Sequence, residues 1–234
     1  VRGISRFFVD EVHHLLEADK PEFRACLENF WKFRSNLINA EVKPLLIGMS
    51  ATVRQCDVGR LCKLITGCQH IMPVFRRSCF RPSITIGLEW EGNDSQAQSV
   101  CIQKAQLFAK KGKTIIFCTS LYLVNLLAGQ MDCQAVTSGT AIDLGMFQIT
   151  SLLVASSCAG HGLDLNDIIA VCILGVPFDA ETLIQWSGRI RGAGAVKVFL
   201  NTNHVVALSR KKDRRGELAG LFLNIQMKGE NPQE

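Results

Sequence analysis

Apolar residues along this chain gather in short runs set between stretches of helical spacing. Arg6-Phe7-Phe8-Val9, Pro44-Leu45-Leu46-Ile47, Thr114-Ile115-Ile116-Phe117-Cys118, Ser151-Leu152-Leu153-Val154, Ile168 to Leu174 and Val196-Lys197-Val198-Phe199 are apolar on both parities, the pattern of strands buried on both faces. Between them, Phe23, Leu27, Phe30 and Trp31 recur at helix spacing behind Asp19-Lys20-Pro21-Glu22, which supplies a capping aspartate, an early proline and a following acid. A further helix is predicted from about Ser95 to Lys111, with Ala97, Cys101, Ala105 and Phe108 on one face and Gly112 at its end. Strands alternating with helices predict an α/β fold with parallel sheets.

The segment Ile71 to Pro82 has two prolines, three arginines and no periodicity, and a domain boundary is expected there. About 75 residues precede it, too few for a complete α/β domain, while the roughly 120 from Ile84 to Asn203 suffice for one. The predicted division is 1–75, 76–205 and a basic helical tail over 206–234.

The 234 residues include 26 Lys and Arg against 21 Asp and Glu, with 47% hydrophobic residues and 6 prolines, a globular rather than disordered composition. The nearly apolar run Ile168 to Phe178 contains Gly175 and Pro177 and is far short of the ~20 residues of a membrane span. Ten cysteines are scattered without Cys-x-x-Cys or zinc-finger spacing, which predicts reduced core thiols, no structural zinc and an intracellular setting.

Two acids, Asp10 and Glu11, end the first run and are followed by Val12 and His13. In open α/β sheets that end of a strand faces the ligand crevice, where one acid can hold Mg²⁺ on a nucleoside triphosphate and its neighbour can position water. The pair by itself fits a solvated strand end equally well. Gly48-Met49-Ser50-Ala51-Thr52 follows the second run in the same way; its small hydroxyl residues could link the acids to a neighbouring domain, and taken alone it is an ordinary strand-to-turn sequence. Further on stand Ala155-Ser156-Ser157-Cys158-Ala159-Gly160-His161-Gly162-Leu163-Asp164 and, on a helix opened by Asp179, Gln185-Trp186-Ser187-Gly188-Arg189-Ile190-Arg191. A Gly-rich turn admits a phosphate to the backbone, and guanidinium groups stabilise charge on a γ-phosphate.

In this order, with Phe80-Arg81-Pro82-Ser83-Ile84 leading into the second domain and Lys20-Pro21-Glu22-Phe23-Arg24 behind the acids, the motifs resemble the second superfamily of nucleic-acid helicases. The closest resemblance is to the RecQ-like DNA helicases with a DExH box, including the divergent branch found near fungal chromosome ends. It extends from about Arg6 to Leu200. It implies a P-loop NTPase (RecA-like) fold, the C-terminal part of one RecA-like domain followed by a second with a parallel sheet.

By that resemblance Asp10 would hold Mg²⁺ through ATP, Glu11 would orient or activate water, and His13 would couple the nucleotide site to the DNA cleft. Ser50, Ala51 and Thr52 would transmit hydrolysis to movement. Gly162 and Asp164 would face the nucleotide–DNA junction, and Gln185, Arg189 and Arg191 would serve the triphosphate. Arg81, Thr119, Ser156 and Ser157 would contact nucleic acid. His14, beside the motif, is expected to be a surface residue.

The chain departs from this family in several places. It contains no phosphate cradle G-x-x-x-x-G-K-[ST], which in such helicases lies upstream of the acids, so the expectation is either that a preceding segment carries it or that the motif has been lost. Relatives read Gln-x-x-Gly-Arg-x-x-Arg, whereas Gly192 holds the last position and Arg191 comes one residue early, a rotation of about 100° if the segment is helical. Only eleven residues join Gly139 to Ser151, so a helix covering the sheet is expected to be missing. The Trp-bearing aromatic loop of RecQ enzymes is replaced by His14-Leu15-Leu16-Glu17-Ala18, and no structural zinc is expected within these 234 residues. The tail Arg210-Lys211-Lys212-Asp213-Arg214-Arg215 suits either phosphate backbones or the solvated start of a helix.

By the same resemblance, the expected function is part of an ATP-dependent DNA helicase, 3′ to 5′, that binds single-stranded or forked DNA, translocates on the single strand and unwinds duplex in nuclear DNA repair and recombination. ATP and Mg are its expected cofactors. Residues 1–234 by themselves are expected to hydrolyse ATP weakly or not at all. The alternative is a non-catalytic nucleic-acid-binding remnant of such an enzyme.

Overall fold

The computed structural model describes residues 6–17, 32–33, 35–36, 45–66, 73–78, 81–140, 142–157 and 165–209. The chain divides into two compact units, Val1–Cys79 and Phe80–Glu234. The helix expected behind Asp19, the glycine-rich turn with Gly162 and Asp164, and the basic tail from Arg210 lie outside the described residues.

In the first unit, strands β1 (Arg6–Val9) and β2 (Leu45–Gly48) pair in parallel, with Val9 abreast of Gly48. A 3₁₀ helix, Val12–Glu17, follows β1, and helix α1 (Gln55–Thr66) follows β2. Val12, Leu15, Leu61 and Ile65 form a small core with Val9, Leu46 and Val53 against it. A Cβ at Gly48 would stand 3.1 Å from Val12 Cγ2 and 3.3 Å from Ile65 Cδ1, so glycine lets the strand end approach the 3₁₀ helix closely. Strands buried on both faces were expected here, and the structure corrects that. Phe7 and Val9 are half-buried, whereas Phe8 is 57% and Leu45 58% exposed, because the described helices pack on only one face of this pair.

In the second unit the described strands form a six-stranded, wholly parallel sheet in the order β3-β8-β7-β4-β6-β5. The strands are β3 (Ile84–Glu91), β4 (Lys113–Cys118), β5 (Gln134–Val136), β6 (Leu152–Ala155), β7 (Ile168–Leu174) and β8 (Gly194–Asn201). Helices α2 (Asp94–Ala109), α3 (Leu121–Gln130), α4 (Leu144–Thr150), α5 (Ala180–Ser187) and α6 (Thr202–Ser209) connect or follow them. Alternate residues of β4 serve opposite cores. Ile115 and Phe117 join Phe147, Leu183, Trp186 and Ile190 on one face, while Ile116 and Cys118 join Ala97, Cys101, Ala105, Val124 and Leu127 on the other. This accounts for strands apolar on both parities. Phe117 and Trp186 stack with centroids 4.7 Å apart and planes 3° from parallel, worth ~0.5–1.5 kcal/mol beyond the area buried.

Helix α2 forms where the spacing predicts it, opened by Asn93, whose side chain accepts from Gln96 N–H, and buried through Ala97, Cys101 and Ala105. Between Gly139 and Ser151, where a missing helix was expected, α4 is present in shortened form. Asp143 caps it by accepting from Met146 N–H at 3.0 Å, Ser151 ends it in the left-handed conformation, and Phe147 is buried beneath it. Seven residues suffice because one large side chain covers that part of the sheet.

Two strands escaped the hydrophobic pattern. Among the described residues β3 pairs only with β8, and it carries Gly87, Glu89 and Glu91, a composition that an edge strand tolerates and a central one does not. Lys197 of β8 reaches over Gly87 to Glu89, at 3.2 Å. β5 has only three residues and forms the other edge. Among the described residues no helix is long and apolar enough to cross a membrane.

Candidate functional site

The first group of candidate residues sits at the carboxyl ends of β1 and β2. Parallel pairing sets these ends side by side, and Met49 N–H donates to Val9 O at 2.8 Å while Val12 N–H donates to Met49 O at 2.9 Å. The two loops are thereby stitched together by their backbones. Asp10 and Glu11 are exposed. Glu11 takes a left-handed φ of 47° and donates its N–H to Asp10 Oδ1 at 2.9 Å. Such a conformation is costly for a non-glycine residue, by ~1–3 kcal/mol, and recurs at functional sites.

His13 is 7% exposed, and its Nδ1 lies 2.7 Å from Ser50 Oγ and 3.3 Å from Glu11 Oε2. Ser50 Oγ also accepts from Thr52 N–H at 3.3 Å. A hydroxyl donates to an unprotonated Nδ1 and accepts from a protonated one, so Ser50 serves His13 in either state. One of the two expected acids, the coupling histidine and the hydroxyl linker are therefore in one contact chain, Glu11–His13–Ser50–Thr52. Ala51 is exposed between the two hydroxyl residues, and Thr52 is 5% exposed.

In the second unit the candidates divide between the two ends of the sheet. Thr119 follows β4, and Ser156 and Ser157 follow β6, its neighbour. Thr119 is exposed, Ser157 half-buried and Ser156 buried with its N–H donating to Val136 O at 2.9 Å. Gly175, with a φ of 94°, ends β7 beside them. Its vacant Cβ position lies 3.6 Å from His204 Nε2 and 3.8 Å from Thr119 Oγ1.

Arg81 precedes β3 and stands at the amino-terminal edge of the parallel sheet, so the structure does not bring it together with Thr119, Ser156 and Ser157. Its Nη1 and Nη2 donate to the carbonyls of Ile190 and Arg191, each at 2.5 Å. Gln185 is half-buried on α5, whose Asp179 cap accepts from Thr182 N–H at 2.7 Å. Arg189 and Arg191 were expected on that same helix, and this is corrected. α5 ends at Ser187 with Gly188 as its C-cap, leaving Arg189 half-buried and Arg191 exposed in a turn before β8. The helical rotation expected for a displaced arginine therefore does not apply. Ser83, quoted in the domain-entry motif without a role of its own, and Thr85, which stands in no motif, hold this turn and the start of β8, Ser83 Oγ donating to Gly192 O at 3.3 Å and Thr85 Oγ1 to Gly194 O at 3.4 Å.

Residues 98–194 match the family model of the helicase conserved C-terminal domain. The second unit has the RecA-like fold of that domain, with its parallel sheet of six strands. No match to this chain was found among curated proteins. Among solved structures, S. cerevisiae Dbp5 bound to RNA and ADP BeF3 is similar at a TM-score of 0.61 and 14% identity, over 96% of this chain and 64% of that one. The helicase MrfA bound to DNA is similar at a TM-score of 0.58 and 15% identity, over 83% of this chain and 30% of its own. The chain thus spans less than two thirds of these structures. The matched residues 98–194 include Thr119, the serines after β6, Gln185, Arg189 and Arg191.

Proposed function

We propose that this chain is part of an ATP-dependent DNA helicase of the RecQ-like kind, moving 3′ to 5′ on single-stranded DNA and acting in the nucleus. The observation that carries the reading is the contact chain from Glu11 through His13 to Ser50 and Thr52, since it joins the acid that would orient water to a segment able to transmit its state.

Two exposed carboxylates at a strand end suit Mg²⁺, a hard cation that keeps several waters and is held through one or two acids together with phosphates. Among the described residues no group of three or more His, Cys, Asp or Glu side chains is placed to hold a metal by itself, in keeping with a metal that arrives with its nucleotide. Asp10 would hold it, and the bound ion would neutralise charge on the phosphates. Glu11 would orient water, its side chain kept near His13 by the left-handed turn. Gln185, Arg189 and Arg191 would serve the triphosphate. Thr119, Ser156 and Ser157 would hold the DNA backbone through hydroxyl and N–H donors.

The test is nucleotide turnover by the native full-length protein with single-stranded DNA or single-stranded RNA. Turnover stimulated by DNA and lowered at least ~100-fold in Glu11→Gln, with ATP still bound, supports the reading. Stimulation by RNA alone overturns the choice of DNA. Nucleic-acid binding without turnover favours a second reading, a non-catalytic helicase remnant, which is supported by Gly192 standing where relatives carry their final arginine.

A further inference from the structure

The turn that carries Arg189 and Arg191 is fastened from both sides. Ile190, between the two arginines, is fully buried and packs in the core face shared by Leu183 and Trp186. Its N–H donates to Ser187 O at 3.1 Å, and Arg189 N–H donates to Trp186 O at 3.2 Å. The carbonyls beyond a helix end need partners, and the segment leading into β3 provides them. Arg81 takes Ile190 O and Arg191 O, Ser83 takes Gly192 O, and Thr85 takes Gly194 O. The backbones join as well, with Gly194 N–H donating to Ser83 O at 3.0 Å.

Arg81 itself is held in a turn. Ile84 N–H donates to Arg81 O at 3.0 Å, and Pro82 fixes the second position of that turn, where its φ is already suitable. A Cβ at Gly194 would stand 2.7 Å from Ile190 Cγ2, so the close approach of the turn to β8 requires glycine there. A planar guanidinium can meet two neighbouring carbonyls at once, whereas an ammonium meets them as a single point.

We propose that Arg81 is a positioning residue whose guanidinium latches the lead-in of the second unit to the arginine turn, so that it sets where Arg189 and Arg191 point. Arg81 lies two residues past the division between the units, and its two charge-assisted hydrogen bonds tie the lead-in of the second unit to the arginine turn. The effect on nucleotide rests on the function proposed above; the latch does not.

The test compares the chain with Arg81→Lys and Arg81→Ala by hydrogen exchange and by titration with fluorescent ATP and ADP analogues in the presence of Mg²⁺. The expected result is exchange at the amides of Arg189 to Arg191 roughly ten-fold faster in Arg81→Ala and intermediate in Arg81→Lys, from the loss of charge-assisted bonds. β4 and β7 should exchange as before, and affinity should fall for the triphosphate but not the diphosphate. Unchanged exchange in the turn overturns the latch. Faster exchange throughout β4 and β7 also overturns it, since Arg81 would then support the whole domain. A loosened turn with an unaltered ratio of triphosphate to diphosphate affinity overturns the positioning role. If the unsubstituted chain binds neither nucleotide, the nucleotide reading fails for this chain and the role of the latch in nucleotide binding fails with it, while exchange still decides whether the latch exists. Should Arg81→Ala not fold, Arg81→Lys decides the same points.

Discussion

His13 Nδ1 stands 2.7 Å from Ser50 Oγ, across 37 residues of chain. The two meet because β1 and β2 pair in parallel with Val9 abreast of Gly48, which brings the residues that follow each strand to the same edge.

Ser50→Ala removes that partner from a histidine that is almost fully buried and also removes the acceptor of Thr52 N–H. A loss of ~1–2 kcal/mol in stability is expected for a part-buried bond of this kind. Urea titration followed by a probe in the first unit measures it, and a midpoint equal to that of the unsubstituted chain would show that the contact contributes nothing.

The cysteines should differ sharply in reactivity. Burial pushes the Cys118 thiol up to about 12 from 9.0, and burial together with the Asp132 carboxylate pushes Cys133 up to about 11. The Cys101 thiol is raised by its hydrogen bond with Cys172 and by burial. Since the thiolate is the reactive form, iodoacetamide at pH 8 should label exposed Cys56 well before Cys101, Cys118 or Cys133, as read by peptide mass spectrometry. The same raised values mean that stability is fully present below pH ~9 and falls as pH rises from there, because the unfolded thiols ionise first. Equal labelling of Cys56 and Cys118 in the folded chain would contradict this.

His204 should make the second unit sensitive to acid. Burial lowers its pKa from 6.5, partly opposed by the Asp94 carboxylate. Its Nδ1 accepts from Asn201 N–H at 3.2 Å, while its own N–H donates to Asn201 Oδ1 at 2.8 Å, a reciprocal cap on α6. With a lowered folded value, the stabilisation is present above the unfolded pKa and is lost as pH falls through the folded one. Melting temperatures at pH 7.5 and pH 5.5 should therefore fall further for the unsubstituted chain than for His204→Gln, which keeps an acceptor that does not titrate in this range. Equal falls would rule out His204 as the cause.

The central strands were legible because position decides their composition. β4, β6 and β7 are covered on both faces and must be apolar on both parities, and the Ala97, Cys101, Ala105 stripe of α2 had to face such a sheet. β3 was not legible, because an edge strand with one neighbour accommodates Gly87 and two glutamates that break the apolar pattern. Exposure of Phe8 in β1 was equally hidden, since a run of apolar residues does not say how many layers will cover it.

At the candidate site the sequence by itself determined the chemistry on offer: two acids and a histidine after one strand, hydroxyl residues after the next, and arginines after a helix opened by Asp179. Tertiary structure alone decided which of these meet. It joined His13 to Ser50, set Thr119 and the two serines at one end of the sheet, ended α5 before Arg189 and turned Arg81 onto Ile190 O and Arg191 O. The partners of Arg81 are 109 and 110 residues away and are backbone carbonyls. A carbonyl is common to every residue and leaves no mark in the sequence, so only the folded chain shows which one a side chain will find.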